Sequence, residues 1–444
     1  MKKLDTSYAG ILKLTTPLVI AGIAMNLVGV IDLILVAGLG EAHVGGTGNG
    51  QLLYSLLYVV GMGFTSGIQI IIGRRNGAHD YKKIGSLFFQ GFYFVLLFST
   101  FLFLFIQWVI PSLLDHLFES ENVVKYASIY MKNRGWGILF TLSNLLFIGF
   151  FVGITNTRVL GYFTPFISAV NIILDLVLIN GYGPFPKLGV QGAALASVIS
   201  EGAGTVLFIV YTIKYIDLSK YGLTKFIKYN WQQTKVIFEI AIPIMIQNIV
   251  SISAWFSFFV FVESLGERAL AISQMIRGIY IFVMVPVFSL ADAANTFVSN
   301  LMGEKNFNKV FPVLNKTLIL GLGVNLLFFT IINVFPEFVI GLFTSDYSIY
   351  NDAIVSVRIT TYSMFFFTIG FIPFRVISGT GNTKTALLIE FISVFIYLSY
   401  SYYATHVMKW PLHLAWAGEF VYFGFFILLS WSYLYWGNWK SKEI

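Results

Sequence analysis

The chain has 444 residues, of which 57% are hydrophobic and only 11% charged, with a net charge of +7. A typical soluble chain carries roughly 25% charged residues, and less than half that share cannot cover the surface of a water-soluble protein of this size. Cysteine is absent, which excludes disulfides, thiolate nucleophiles and cysteine metal sites.

Apolar runs succeed one another along the whole chain, over 9–38, 46–72, 86–110, 134–152, 160–180, 189–213, 236–264, 270–301, 311–335, 353–377, 385–406 and 411–436. Each is long enough to cross a hydrocarbon core of about 30 Å. The predicted fold class is an all-α polytopic membrane protein with twelve transmembrane helices. The alternating short strands of an outer-membrane barrel are missing. The first run is too long for a cleavable signal and lacks a small-residue cleavage site. Seventeen lysines and arginines fall in the joints on the N-terminal side, among them Lys2, Lys3, Arg74, Arg75, Lys82 and Lys83. Six fall in the opposite joints: Lys125, Lys132, Arg134, Lys187, Arg268 and Lys409. That asymmetry predicts an inner-membrane protein with both termini in the cytoplasm. The basic residues therefore orient the chain in the lipid bilayer, and no nucleic-acid partner is expected.

A constant offset of 226 residues runs through the sequence. It carries LTTPLVIAGIAMNLVGVIDLILVAGLGE (14–41) onto IAIPIMIQNIVSISAWFSFFVFVESLGE (240–267), pairing Pro17 with Pro243 and Gly40 with Gly266. The same shift takes NGAHDYKKI (76–84) to MGEKNFNKV (302–310), GITNTR (153–158) to GTGNTK (379–384), and Gly192 to Gly418. A register kept without a gap over four segments marks an internal repeat. The expected domains are an N-terminal six-helix lobe, 1–218, a basic cytoplasmic linker, 219–235, and a C-terminal six-helix lobe, 236–444. Six helices per half make the repeats parallel, an arrangement common in secondary transporters, with a central cavity expected between the lobes.

The repeat is broken where polar groups lie deep in apolar runs. Asn171 and Asp175 sit four residues apart in SAVNIILDLVLIN, on one helical face that Ser168 shares. Shifted by 226, Asp32 becomes Phe258, Asn171 becomes Tyr397, Asp175 becomes Ser401 and Ser197 becomes Phe423. An aspartate at the centre of a membrane helix costs about 2.5–3.5 kcal/mol on insertion scales, so it normally has a partner or a function. If Asp32 and Asp175 share a pocket, both cannot stay charged and unpaired there; one takes a proton, or a cation enters. With Asn171 and Ser197 they offer oxygen ligands for a hard cation. No metal is expected beyond sodium at that place.

Pro17, in the helix of Asp32, is a candidate hinge or a static kink. Asn26, Gln51, Tyr54, Gln247, Gln274 and Arg277 are candidates for lining a substrate cavity. Glu201, Asp292, Glu390 and Glu419 are further embedded acids, with Arg277, Arg358 and Arg375 as candidate partners and no role assigned.

The sequence DLILVAGLG (32–40), the GITNTR and GTGNTK joints, and NIILDLVLINGYG followed by LGVQGAALAS resemble the multidrug and toxic compound extrusion (MATE) transporters over nearly the whole chain. The resemblance implies export of cationic and amphipathic small molecules against a proton or sodium gradient. It matches Asp32, Asn171, Asp175 and Ser197 to the N-lobe cation site of the family's DinF-like branch, with serine where threonine is usual. The NorM-like branch places carboxylates in its seventh and tenth helices. Here Glu263 and Asp352 lie near the outer ends of those helices, with no acid at their centres, which speaks against an ion site in the C-terminal half.

The expected function is antiport by alternating access: a monomer exchanging H+ or Na+ for organic cations, without cofactor or enzymatic activity. A flippase for lipid-linked oligosaccharides is the alternative, and it would want an arginine-rich cavity for a pyrophosphate head group. An enzyme is disfavoured, because histidines 43, 79, 116, 406 and 413 form no metal-binding spacing. No Walker sequence supports ATP-driven pumping.

Overall fold

A computed structural model describes residues 4–343 and 349–443; Lys2 and Lys3 of the basic tally lie outside them. Among the described residues there is no β-strand, and the helices are, in chain order, α1 (Tyr8–Ala37), α2 (Glu41–Gly77), α3 (Tyr81–Trp108), α4 (Ile110–Leu117), α5 (Glu121–Gly135), α6 (Ile138–Gly153), α7 (Arg158–Asn180) and α8 (Val190–Tyr215). They continue as α9 (Trp231–Glu263), α10 (Glu267–Gly303), α11 (Val310–Val334), α12 (Pro336–Gly341), α13 (Tyr350–Gly379), α14 (Thr383–Tyr402), α15 (Leu412–Trp416) and α16 (Gly418–Trp436). Among the described residues eleven helical segments are long and apolar enough to cross a membrane, and α5 with α6, bent by 56°, makes a twelfth when the pair is counted as one span. Outward-facing side chains such as Leu97, Phe101, Ile173 and Phe395 are 59–73% exposed, a surface that requires lipid rather than water. The chain is a multi-pass membrane protein.

The 226-residue offset reappears in the element bounds. It maps α2 onto α10 residue for residue and the span of α3 onto Phe307–Val334. Gly40 (φ 120°) and Gly266 (φ 105°) precede α2 and α10 with the same backbone twist, which a side chain would oppose. The pairing fails at one place. The fourth span was expected over 134–152, but it starts at Glu121 and breaks at Trp136–Gly137. Its counterpart, α13, runs unbroken to Gly379. The cause is local: Gly135-Trp136-Gly137 has two residues with the weakest helix preference short of proline, where the repeat has Thr361-Tyr362-Ser363.

The chain divides into two compact units, one of Thr16–Met245 and one of Ile246 onward with the residues up to Thr15. In the first, α2 packs on α5 and α6, and α7 packs on α8. In the second, α13 is central, packing on α10, α11 and α16. Between α8 and α9, residues 216–230 form no helix and lie along the start of α3. The Gly85 N–H donates to the Tyr221 carbonyl at 2.8 Å, and the Tyr93 hydroxyl to that of Ile227 at 2.9 Å. Buried Gln90 donates to the Lys228 carbonyl at 3.1 Å and accepts from the Asn230 N–H at 2.9 Å.

Candidate cation site

From Thr16 to Ala37, α1 buries only Ala21, Asp32 and Val36. The single acid of that stretch is thus one of its three inward positions, 3% exposed. On α7 the face repeating at three and four residues brings Ser168, Asn171 and Asp175 inward together, and Asp175 is 0% exposed. Ser197 comes from α8, which can approach α7 because residue 192 is glycine: a Cβ there would stand 2.6 Å from the Leu178 carbonyl oxygen. Gly192 is a close-packing position.

The Asp32 and Asp175 carboxyl groups lie within hydrogen-bonding distance of each other. Asn171 satisfies both ends of its amide when its nitrogen donates to Asp175 Oδ2 at 3.1 Å and its oxygen accepts from the Ser197 hydroxyl at 3.3 Å. The opposite orientation leaves the amide oxygen facing only acceptors. Gln51 Nε2 donates to Asp32 Oδ2 at a long 3.4 Å. Oδ1 of Asp32 and Oδ1 of Asp175 are both buried without any hydrogen-bond partner. An ionised pair has no hydrogen to share, so a proton between the two carboxyls, or a cation on their free oxygens, is what the arrangement lacks.

Beside the pair lies a second network that sequence reasoning did not assemble. Arg134 was counted in an outer joint; instead it is buried and grips Glu201 with two hydrogen bonds, of 2.9 and 2.5 Å. Thr141 donates to Glu201 at 2.5 Å, the Tyr54 hydroxyl meets Thr141 at 2.7 Å, and the guanidinium lies 4.2 Å above the Tyr54 ring. Gly137, at the break between α5 and α6, makes room for it, since a Cβ there would stand 2.7 Å from Arg134 Nη1. The guanidinium is near enough to act electrostatically on both aspartates. One signal was available: Glu201 stands four residues, one helical turn, after Ser197. Nothing comparable marked Arg134, which follows the polar residues Lys132 and Asn133.

The remaining candidates are dispersed. Asn26 spends its amide on the Gly22 carbonyl of its own helix at 2.8 Å. Gln51 and Tyr54 belong to the networks just described. Pro17 lies inside an uninterrupted α1 and packs against Gly161 of α7. In the second unit Gln247 is buried, Gln274 exposed, and Arg277 lies 5.5 Å from the Phe259 ring. Of the unassigned acids, Asp292 is bonded to Arg375 at 2.5 Å. Phe258, Tyr397, Ser401 and Phe423, the repeat counterparts of the four cation-site residues, are all buried, and the rings of Phe258 and Tyr397 stack at 5.8 Å. The second unit therefore has aromatic packing where the first has acids.

The profile of the MatE family matches residues 17–177 and, a second time, residues 243–403; both ends are displaced by the same 226 residues. The chain is 25% identical over 450 residues to a probable multidrug resistance protein NorM of Thermotoga maritima, covering 98% of this chain and 93% of that protein. It is 23% identical over 392 residues to the multidrug export protein MepA of Staphylococcus saprophyticus, covering 86% and 83%. A solved outward-facing structure of a multidrug resistance MATE family transporter of the MOP superfamily is similar with a TM-score of 0.86 at 19% identity, over 96% of this chain and 94% of that one. At that identity the likeness is one of fold.

Proposed function

The chain belongs to the MatE family, and from that premise we propose that it is a secondary antiporter exporting cationic or amphipathic small molecules in exchange for H+ or Na+. It is a transporter and not an enzyme. The relatives named for multidrug resistance and export support the substrate class. The coupling site is the set Asp32, Asn171, Asp175 and Ser197, as in the DinF-like branch. The observation that carries this assignment is the contact of two buried carboxyls, each with an unpartnered oxygen.

Charge makes the pair a switch. With the site loaded by one proton or one sodium ion, the pair carries one unit less of negative charge than when empty. Burial makes that difference matter for the packing of α1 against α7. Loading from outside would loosen bound substrate, and discharge inside would reset the carrier. Asn171 holds the Asp175 carboxyl in place, and Gln51 holds that of Asp32. Pro17 is the proposed hinge of α1. Gln51 and Tyr54, together with Asn26, Gln247, Gln274 and Arg277, remain the proposed substrate contacts. We place the chain in the inner membrane with both termini cytoplasmic, as a monomer of two lobes, 1–218 and 236–444. The buried arginines Arg134 and Arg375 are each engaged by a carboxylate, which disfavours a pyrophosphate-binding flippase.

The test is efflux of ethidium from proteoliposomes under separately imposed proton and sodium gradients, for the wild type, Asp32→Asn and Asp175→Asn. One gradient is expected to drive efflux and thereby name the ion, and each variant is expected to lose the gradient-driven component. Undiminished efflux in both variants sinks the assignment of the site.

A further inference from the structure

Two more carboxyl groups are buried within spans without a base beside them. Glu390 on α14 and Glu419 on α16 are each 1% exposed. Glu390 Oε1 accepts from the Ser251 hydroxyl at 2.5 Å and from the Tyr422 hydroxyl at 2.9 Å. Glu419 accepts from the Tyr280 hydroxyl at 3.0 Å on one oxygen and from the Tyr397 hydroxyl at 3.3 Å on the other. The rings of Tyr397 and Tyr422 lie 5.2 Å apart, so the phenols join both acids into one cluster. Among the described residues neither glutamate is paired with a lysine, arginine or histidine. The groups facing them are Ser251 from α9, Tyr280 from α10, Tyr397 from α14 and Tyr422 from α16; α13 and α15 bring no charge to either. Arg375 of α13 is bonded to Asp292.

Independent of the acids, polar atoms beside them are unsatisfied. Ser393 is 0% exposed and its hydroxyl has no partner; it lies between Glu390 and Tyr397 on the same face of α14. Gln247 is 4% exposed with an unpartnered amide oxygen, one turn before the Ser251 that reaches Glu390. Buried polar atoms without partners are rare and call for an occupant. The repeat adds a third point. Tyr397 stands at the place of Asn171, Tyr280 at that of Tyr54, and Glu419 follows Gly418, the counterpart of Gly192. The cluster therefore borders the place in the second unit that corresponds to the aspartate pair in the first, with its acids at the counterparts of Thr164 and Ala193 rather than of Asp32 and Asp175.

We propose that Glu390 and Glu419 form a second proton-binding site, in the C-terminal half of the chain. Two buried carboxylates joined by neutral phenols repel each other, and hydroxyl hydrogen bonds offset only part of the cost of burying charge. A proton removes that charge and turns one acid into a donor, on helices where the Gln247 amide oxygen and the Ser393 hydroxyl have no partner. A metal ion fits less well, because hydroxyl hydrogens already sit on both Glu419 oxygens and on Oε1 of Glu390. The sequence spoke against an ion site in this half because its seventh and tenth helices hold no central acid. The glutamates come instead from the last two spans.

The site is tested at equilibrium on the purified full chain in nanodiscs, independently of transport and hence of the antiport reading. Infrared difference spectra follow the protonated-carboxyl stretch as pH is varied. In the Asp32→Asn, Asp175→Asn background a titrating band is expected to persist. Adding Glu390→Gln and Glu419→Gln, which keep the shape of both side chains, is expected to abolish it. Tyr422→Phe leaves both acids and removes one donor, so it is expected to move the midpoint; an unmoved midpoint overturns the assignment to Glu390. No titrating band in the Asp32→Asn, Asp175→Asn background, or a band that survives the glutamine substitutions, overturns the proposal. So does a band removed by sodium at constant pH, which would make this an alkali-cation site.

Discussion

Neighbouring acids in the first unit have opposite hydrogen-bonding states. Glu201 accepts two bonds from Arg134 and one from Thr141, whereas Asp32 and Asp175 each retain a bare oxygen. Removing one partner of a buried pair strands the other charge and costs about 3–5 kcal/mol. Glu201→Gln is therefore expected to lower the thermal unfolding temperature in detergent sharply. The joint replacement Arg134→Met with Glu201→Leu is expected to recover most of that loss, since the two charges leave together. Asp32→Asn and Asp175→Asn should behave differently, leaving the unfolding temperature unchanged or raised, because amides relieve the crowding of like charge. Equal destabilisation by all three single substitutions would place the aspartates among the structural ion pairs. Asn171→Ala removes the donor to Asp175 Oδ2 and the acceptor for Ser197, and is expected to slow ethidium efflux while leaving the protein folded.

Helices meet closely at glycines, and these contacts set the geometry around the acids. The break between α5 and α6 exists because Gly135 and Gly137 flank Trp136, and it lets the Arg134 side chain turn onto Glu201. Gly137→Ala puts a methyl group against Arg134 Nη1 and the Val198 side chain, and overpacking of this kind costs about 1–3 kcal/mol. Gly192→Ala meets the Leu178 backbone instead, a neighbour that cannot rotate away. It is expected to push α8 from α7 and to depress efflux more than stability, because it separates Ser197 from Asn171. Gly424→Ala is the control: nothing lies within 4 Å of its added Cβ, so both readouts should match the wild type. An effect there as large as at Gly192 would mean that helix flexibility, not close approach, is what these glycines supply.

For the molecule as a whole, run length and repeat offset are properties of a one-dimensional string, so the twelve spans and the 226-residue register were legible before any coordinates. Asp32 and Asp175 were conspicuous for a similar reason: an acid in an apolar run is costly wherever that run packs. Their contact was not legible, because depth and rotation of α1 against α7 depend on packing. Arg134 was misplaced because α5 is amphipathic and joins its span at an angle that hydropathy does not register. Glu201 and Asp292 stood out as embedded acids, but their partners lie 67 and 83 residues away in sequence. Orientation can be tested directly because the chain has no cysteine. Phe185→Cys, in the joint between α7 and α8, is expected to react with an impermeant thiol reagent in intact cells. Lys225→Cys is expected to react only after permeabilisation, and the reverse pattern would invert the topology.

The stretch bonded along α3 changes what it would mean to sever the chain. A backbone cut between Leu218 and Ser219 falls at the expected edge of the first half, yet the residues after it remain tied to Gly85, Gln90 and Tyr93. The downstream fragment would thus carry its own clasp, and two polypeptides made separately with that junction should find each other through it. Moving the junction past Asn230 transfers the clasp to the upstream fragment and removes that means of reassembly. The segment that looks like a tether in the sequence is, by its bonds, a piece of the first unit.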